Sequence, residues 1–337
     1  MSTQTGPQTG NVADQPPQSE SWARRLWRTI TQSQALVLML FLVVIIIISL
    51  WAPRFLQPSN LAVIVRQTSF IALASMGQML ALIAGVIDLS VGATAGFAGI
   101  CAAMLMNATP INPYLALLVG ILVGTFIGLI NGLLVAYVRL NPFIVTLSMS
   151  FVISGLILVV TGGWAIPDMP DSILWLGQEN IGGVPVPTII TIIVALVLAF
   201  VLNRTFIGRH IFAVGGNKDA ANLVGIRVPR IIVLVYMIAG TLSALAGVLM
   251  LARLASGQPT IGATWLMPSF AAPILGGAAL SGGAGSVLGT LVGATIMTVI
   301  QNAIVMTGIS VYWENVVVGL VLVAAIILDR VRTRNRT

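Results

Sequence analysis

Ten apolar runs, separated by short polar joints, occupy this chain from residue 34 to residue 329. They lie at roughly 34–52, 67–87, 89–107, 114–137, 143–161, 187–203, 230–251, 266–281, 286–306 and 312–329. A helix crosses the hydrocarbon core of a bilayer with about 17–25 apolar residues, and in lipid only helices and closed barrels satisfy every backbone polar group. The runs predict an all-α polytopic membrane protein of about ten transmembrane helices, with short or broken helices at glycine-rich joints. The eighth run is short and interrupted by Pro268, Pro273 and Gly276-Gly277. Hydrophobic residues make up 58% of the chain and charged ones 7%, where a soluble domain carries about 25% charged. One membrane domain therefore accounts for a length that would suggest two soluble domains.

Residues 1–21 are Gln, Thr, Pro, Ser and Gly without apolar periodicity, and read as a disordered cytoplasmic tail. The membrane domain is read as residues 22–330, with a polar loop at 204–229, followed by a basic cytoplasmic tail at 331–337. The N-terminal region is not read as a signal peptide, because the first apolar run ends in Trp51-Ala52-Pro53-Arg54 rather than a small-residue cleavage site. With the N-terminus inside, thirteen of the sixteen basic residues fall on the cytoplasmic side, and only Arg54, Arg66 and Arg253 fall outside. The positive-inside rule then places both termini in the cytoplasm, which requires an even number of spans. The same rule explains a pI near 10.7 without nucleic acid as a partner.

Much chemistry is excluded. The only lysine is Lys218, in Asn217-Lys218-Asp219, so there is no GxxxxGK[ST] phosphate loop. The single Cys101 sits in an apolar run and reads as a small buried residue, while the single His210 rules out a multi-histidine metal site. HExxH and GxSxG are absent, and no nucleophile–base pair supports a membrane-embedded enzyme. Asp88 stands near a membrane boundary with no second carboxylate close by. Proton-coupled carriers place ionisable groups along the pathway; these spans suit the movement of a neutral polar solute.

Two glycine-rich joints look alike. Ala84–Gly99 reads AGVIDLSVGATAGFAG and Gly276–Gly289 reads GGAALSGGAGSVLG, and both contain Leu-Ser-x-Gly. Internal repeats with broken helices often mark the solute path of transporters. Asp88 and Ser90 can cap the helix that follows, or serve as a gate or solute contact. Gly120, Gly124, Gly128 and Gly132 recur every four residues and put one small-residue seam on a single helix face. That seam fits packing inside the chain, or a dimer or pathway face.

The polar loop GRHIFAVGGNKDAANLVGIR, residues 208–227, is read as turns followed by a short helix at about Lys218–Val224. Asn217 is a good N-cap, Asp219 complements the first turn, Gly225 suits a left-handed C′ position, and Val228-Pro229 ends the segment. So short a helix needs a partner surface.

Four stretches, GVIDLSVGA, NPFIVTLSM, GRHIFAVGGNKDAANLVGIRV and LGGAALSGGAGSVLGTLVGA, occur in this order. Together they resemble the ribose-type sugar permeases of bacterial ATP-binding-cassette importers, over about residues 35–330. The resemblance implies a multi-pass subunit of the bacterial inner membrane that moves a monosaccharide or similar small polyol. It implies a second permease subunit, identical or related, a cytoplasmic ATPase that binds ATP and Mg, and a periplasmic sugar-binding protein. This chain would itself hold no cofactor and be no enzyme. The resemblance makes Gly208, Arg209, Gly215, Gly216, Asn217, Lys218, Asp219, Ala220, Ala221 and Gly225 the ATPase-coupling loop, with Gly208-Arg209 and Gly215-Gly216 setting its turns. It also brings forward Asp88, Ser90, Gly92, Asn141, Pro142, Thr146, Ser281, Gly282 and Gly283 as candidates for a gate or solute path. One departure stands out: where many such permeases carry an acidic stretch, this chain has Thr264-Trp265-Leu266-Met267-Pro268. The alternative reading is a stand-alone secondary carrier or facilitator for a small polar solute.

Overall fold

The computed structural model describes residues 54–308, 310 and 313–334. Its axis is α1 (Pro58–Ile83), in which every residue from Ser69 to Ile83 is buried. A helix that is apolar all round belongs in the middle of a bundle, and the small residues Ala72, Ala74, Ser75, Gly77 and Ala81 let its neighbours come close. The apolar run expected at 67–87 underestimates this helix at its start. Arg66 and Gln67 interrupt the hydropathy but not the helix, because both heads are bonded: Arg66 Nη2 donates to Asn180 Oδ1 at 2.8 Å, and Gln67 Oε1 accepts from Arg253 Nη1.

Around this axis stand α2 (Val91–Ala108), α3 (Pro113–Ala136) and α4 (Pro142–Thr161), then the short α5 (Asp171–Gln178). Two-residue strands β1 (Asn180–Ile181) and β2 (Val184–Pro185) pair antiparallel, Asn180 with Pro185 and Ile181 with Val184. α6 (Val186–Arg204), α7 (Phe206–Gly216), α8 (Lys218–Leu223), α9 (Val228–Leu254), α10 (Leu266–Leu275), α11 (Val287–Met306) and α12 (Trp313–Arg334) complete the order. Six of these, α2, α3, α4, α6, α9 and α11, are long and apolar enough to cross a membrane. Each apolar run from 67 onward is met by one helix; the run at 34–52 and the tail at 1–21 lie outside the described residues. α12 continues through Arg334, so helix extends into the segment read as a tail. α10, at ten residues, is about 15 Å long, half the roughly 30 Å of a hydrocarbon core.

Proline at the first or second position starts α1, α3, α4, α6 and α9. Its fixed φ suits the first turn and its missing N–H is no loss there. Asn112 and Asn141 finish two of these starts: their side chains accept from Tyr114 N and Phe143 N, each at 2.9 Å.

The glycine seam of α3 is spent inside the chain. A Cβ on Gly124 would collide with Ala244 and with the Gly240 carbonyl; one on Gly128 would overlap the Tyr236 carbonyl; one on Gly132 would press on Val233. All of these lie on α9, so the seam is the α3–α9 contact rather than a dimer or pathway face. α9 also packs on α1 and α2, and α10 and α11 pack on α1.

The contacts sort the joints into two ends. Ile83, Gly85, Gly215 and Gly283 meet at one. At the other, Ile166 and Gly257 exchange backbone hydrogen bonds of 2.9 and 2.8 Å, and Asn60 bonds Asn302.

Candidate functional site

The two glycine-rich joints converge on the end of α7. α1 closes with Gly85 at φ 70° and a hydrogen bond from Val86 N to Ala81 O. α10 closes the same way, with Gly277 at φ 91° and Ala278 N bonded to Pro273 O. This is the left-handed glycine stop, in which a residue past the helix reaches back to an unsatisfied carbonyl. The two joints thus share their turn geometry. Their Leu-Ser-x-Gly letters are not in register with it: Leu89 follows Gly85 by four residues, whereas Leu280 follows Gly277 by three.

Between them lies Gly215. Gly283 N donates to Ile83 O at 2.9 Å, and a Cβ on Gly215 would overlap that same Ile83 carbonyl and stand 2.7 Å from Gly283 N. Gly282, at φ 92°, would meet the Gly215 carbonyl and the Gly85 Cα. Three backbones therefore touch with no side chain interposed. Gly215-Gly216 was expected as a turn, as was Gly208-Arg209. All four lie inside helix α7. Their glycines serve close approach: Gly208 is packed on the Leu202 backbone, and Gly215 on Ile83. The residues between them, IFAV, form two buried positions, Ile211 and Val214, at helical spacing, a pattern that the flanking glycines obscured.

α8 matches its expectation closely. Asn217 Oδ1 accepts from Ala220 N at 2.9 Å, and Asp219 lies in the first turn. Gly225 takes φ 84°, and Ile226 N reaches back to Ala221 O at 3.0 Å. Ala221 is buried, whereas Lys218, Asp219 and Ala220 are exposed. Leu223 is 89% exposed and Val224 76% exposed. Two bare aliphatic side chains at the tip of a polar segment were not singled out from sequence, since Leu223 reads there only as a helix former. Arg209 is exposed, and the His210 ring sits edge-on to Phe206 at 5.9 Å.

Asp88 and Ser90 are both buried, and neither side chain caps α2. Instead Asp88 Oδ1 accepts from Ser90 N at 2.8 Å and from Ser90 Oγ at 2.6 Å. Ser90 Oγ in turn accepts from Asn131 Nδ2 at 2.9 Å, and Tyr236 Oη donates to Ile87 O at 2.8 Å. The joint is thus pinned to α3 and α9. Asn131 and Tyr236 escaped the sequence reading; a lone amide inside the Gly128–Gly132 stretch is the signal that marks the first of them. Asn141, Pro142 and Thr146 are not part of this cluster. Asn141 and Pro142 start α4, and Thr146 Oγ1 donates to Pro142 O at 2.8 Å.

Gly92 lies on another wall. It packs backbone to backbone on Gly262 and lines a cavity of 200 Å³ with Leu89, Ser150, Ser154, Ala263 and Leu266. Ser281 stands in the α10–α11 joint beside Gly282.

Comparison with known proteins gives one family. The family described as branched-chain amino acid transport system / permease component matches residues 60–326. The ribose import permease protein RbsC of Bacillus subtilis is 38% identical over 291 residues, which is 86% of this chain and 90% of the relative. The D-allose transport system permease protein AlsC of Escherichia coli is 36% identical, over 86% of this chain and 89% of the relative. The L-arabinose ABC transporter permease protein AraH of Azospirillum brasilense is 32% identical, over 92% and 91%. No solved structure matches the chain.

Proposed function

The chain belongs to the branched-chain amino acid transport system / permease component family, and on that premise we propose that it is the membrane subunit of an ATP-driven sugar importer. Its relatives are permeases named for ribose, allose and arabinose. In this reading the chain spans the bacterial inner membrane ten times with both termini in the cytoplasm. It pairs with a second permease subunit, receives a monosaccharide from a periplasmic binding protein, and draws energy from a cytoplasmic ATPase that binds ATP and Mg.

The observation that carries the coupling role is the pair of exposed side chains Leu223 and Val224 at the end of α8. Apolar groups held out at the tip of a polar, capped helix suit insertion into a groove of another protein. α8 follows α7 after a single residue, Asn217, and α7 ends against both glycine joints. A partner that grips α8 thereby bears on the end of α1 and on the joint between α10 and α11.

The test is reconstitution in liposomes with the cognate ATPase and sugar-loaded binding protein. The importer predicts sugar uptake that requires ATP and all three components. Sugar movement by this chain alone, down a gradient and without the ATPase, would overturn the proposal in favour of a facilitator.

A further inference from the structure

We infer that a groove between α1 and α11 is the polyol-contact site of the transport path, and that Gln67, Thr264, Gln301 and Asn302 select the solute. The inference rests on the importer reading and gives it a place. The groove has a volume of 310 Å³ and is lined by these four residues, the buried Thr298 and the aliphatic side chains of Val63, Ile64 and Val305. That volume is at the lower end of the range for small-molecule sites.

The lining is chemically selective. Amide and hydroxyl groups each donate and accept, as sugar hydroxyls do, and the aliphatic residues suit the C–H faces of a sugar. Among the described residues, none that lines the groove is charged. The lining answers the missing carboxylates of the Thr264–Pro268 stretch: hydroxyl and amide groups stand there instead.

The polar heads are held in place. Asn60 and Asn302 form a reciprocal amide pair, with Nδ2 to Oδ1 distances of 3.0 and 2.9 Å. The Gln67 carbonyl is fixed by Arg253, whose guanidinium lies 5.5 Å from the Phe70 ring centroid. Phe70 stacks on Trp265 at 6.5 Å, next to Thr264. Such a supported shell is what a selective site needs. Polar groups of this density are costly against lipid, so the groove does not face the hydrocarbon. Thr264 also lies on a dividing wall: its neighbours Gly262, Ala263 and Leu266 line the 200 Å³ cavity that reaches Leu89, beside Asp88.

The experiment uses the complete importer with D-ribose, D-allose and L-arabinose at saturating binding protein. Thr264→Val and Gln301→Leu should lower sugar moved per ATP hydrolysed by about fivefold to tenfold, the scale of one lost hydrogen bond, and change the preference among the three sugars. Thr264→Ser should restore both. Unchanged uptake per ATP and unchanged preference in both variants would overturn the inference while leaving the importer reading intact. A wild-type complex that carries no sugar would overturn the reading and the inference together. A second measurement avoids folding effects: in a Cys101→Ala background, Thr264→Cys places a thiol at an exposed position. Labelling of that thiol by an impermeant maleimide should slow when the transported sugar is present, and labelling indifferent to the sugar would count against the site.

Discussion

The backbone amide of Gly283 donates a 2.9 Å hydrogen bond to the carbonyl of Ile83, tying the joint before α11 to the end of α1. Gly215 of α7 sits against the same carbonyl. The end of α7 and two glycine-rich joints thus form one contact, built from main chain.

Gly215→Ala should break that contact. The added methyl has no space beside Ile83 O and Gly283 N, and both neighbours are backbone. The expected cost is about 1–3 kcal/mol, as for other overpacked sites, with loss of ATP-driven uptake. Thermal melting of the purified chain and uptake in vesicles read the two effects. A variant with wild-type melting and uptake would show that α7 does not need this approach.

Asp88 tests whether the buried joint needs an acceptor or a charge. Asp88→Ala leaves the Ser90 amide and hydroxyl without their acceptor, a loss of about 1–3 kcal/mol for each buried group left unpaired. Asp88→Asn keeps an oxygen in the same place and should recover most of the stability. Equal damage from both variants would show that the negative charge itself is required, and would favour a gating role.

Leu223→Glu should weaken association with the ATPase subunit by roughly tenfold or more, since an aliphatic anchor would become a charge. α8 should remain folded, because Leu223 makes little contact with its own chain. Ala221→Arg is a different experiment: Ala221 is buried, so this change disrupts the chain itself. Co-purification with the ATPase separates them, and full retention of the Leu223→Glu variant in the complex would remove the docking role of α8.

The α3–α9 seam gives a paired stability test. Gly128→Ala drives a methyl into the Tyr236 carbonyl and should cost about 1–3 kcal/mol. Gly155→Ala on α4 meets open space and lies in a helix, so it should be neutral or stabilising by about 0.5–1 kcal/mol. Similar melting temperatures for the two would contradict close packing at the seam.

The positions of the membrane helices were legible because hydropathy is a property of composition alone. The start of α1 was not, because Arg66 and Gln67 find partners on other segments, Asn180 and Arg253, that no local pattern reveals. α8 was legible because a cap, a first-turn acid and a terminal glycine act over seven residues. α7 was missed because its glycines looked like turns; their reason is the approach of Ile83 and Leu202, distant in one case and sequence-local in the other. The joints were legible as glycine-rich, but their meeting at Gly215 is a tertiary fact. The amide groove was invisible for the same reason: Gln67, Thr264 and Gln301 stand on three separate segments.

The meeting of Gly85, Gly215 and Gly283 has a mechanical consequence. Side chains act as soft springs, since they change rotamer and absorb small displacements. A joint of bare main chain has none to yield. α7, eleven residues and about 16 Å long, therefore behaves as a short stiff strut whose inner end bears on two levers at once. A push at its outer end would be divided between the end of α1 and the glycine-rich joint between α10 and α11.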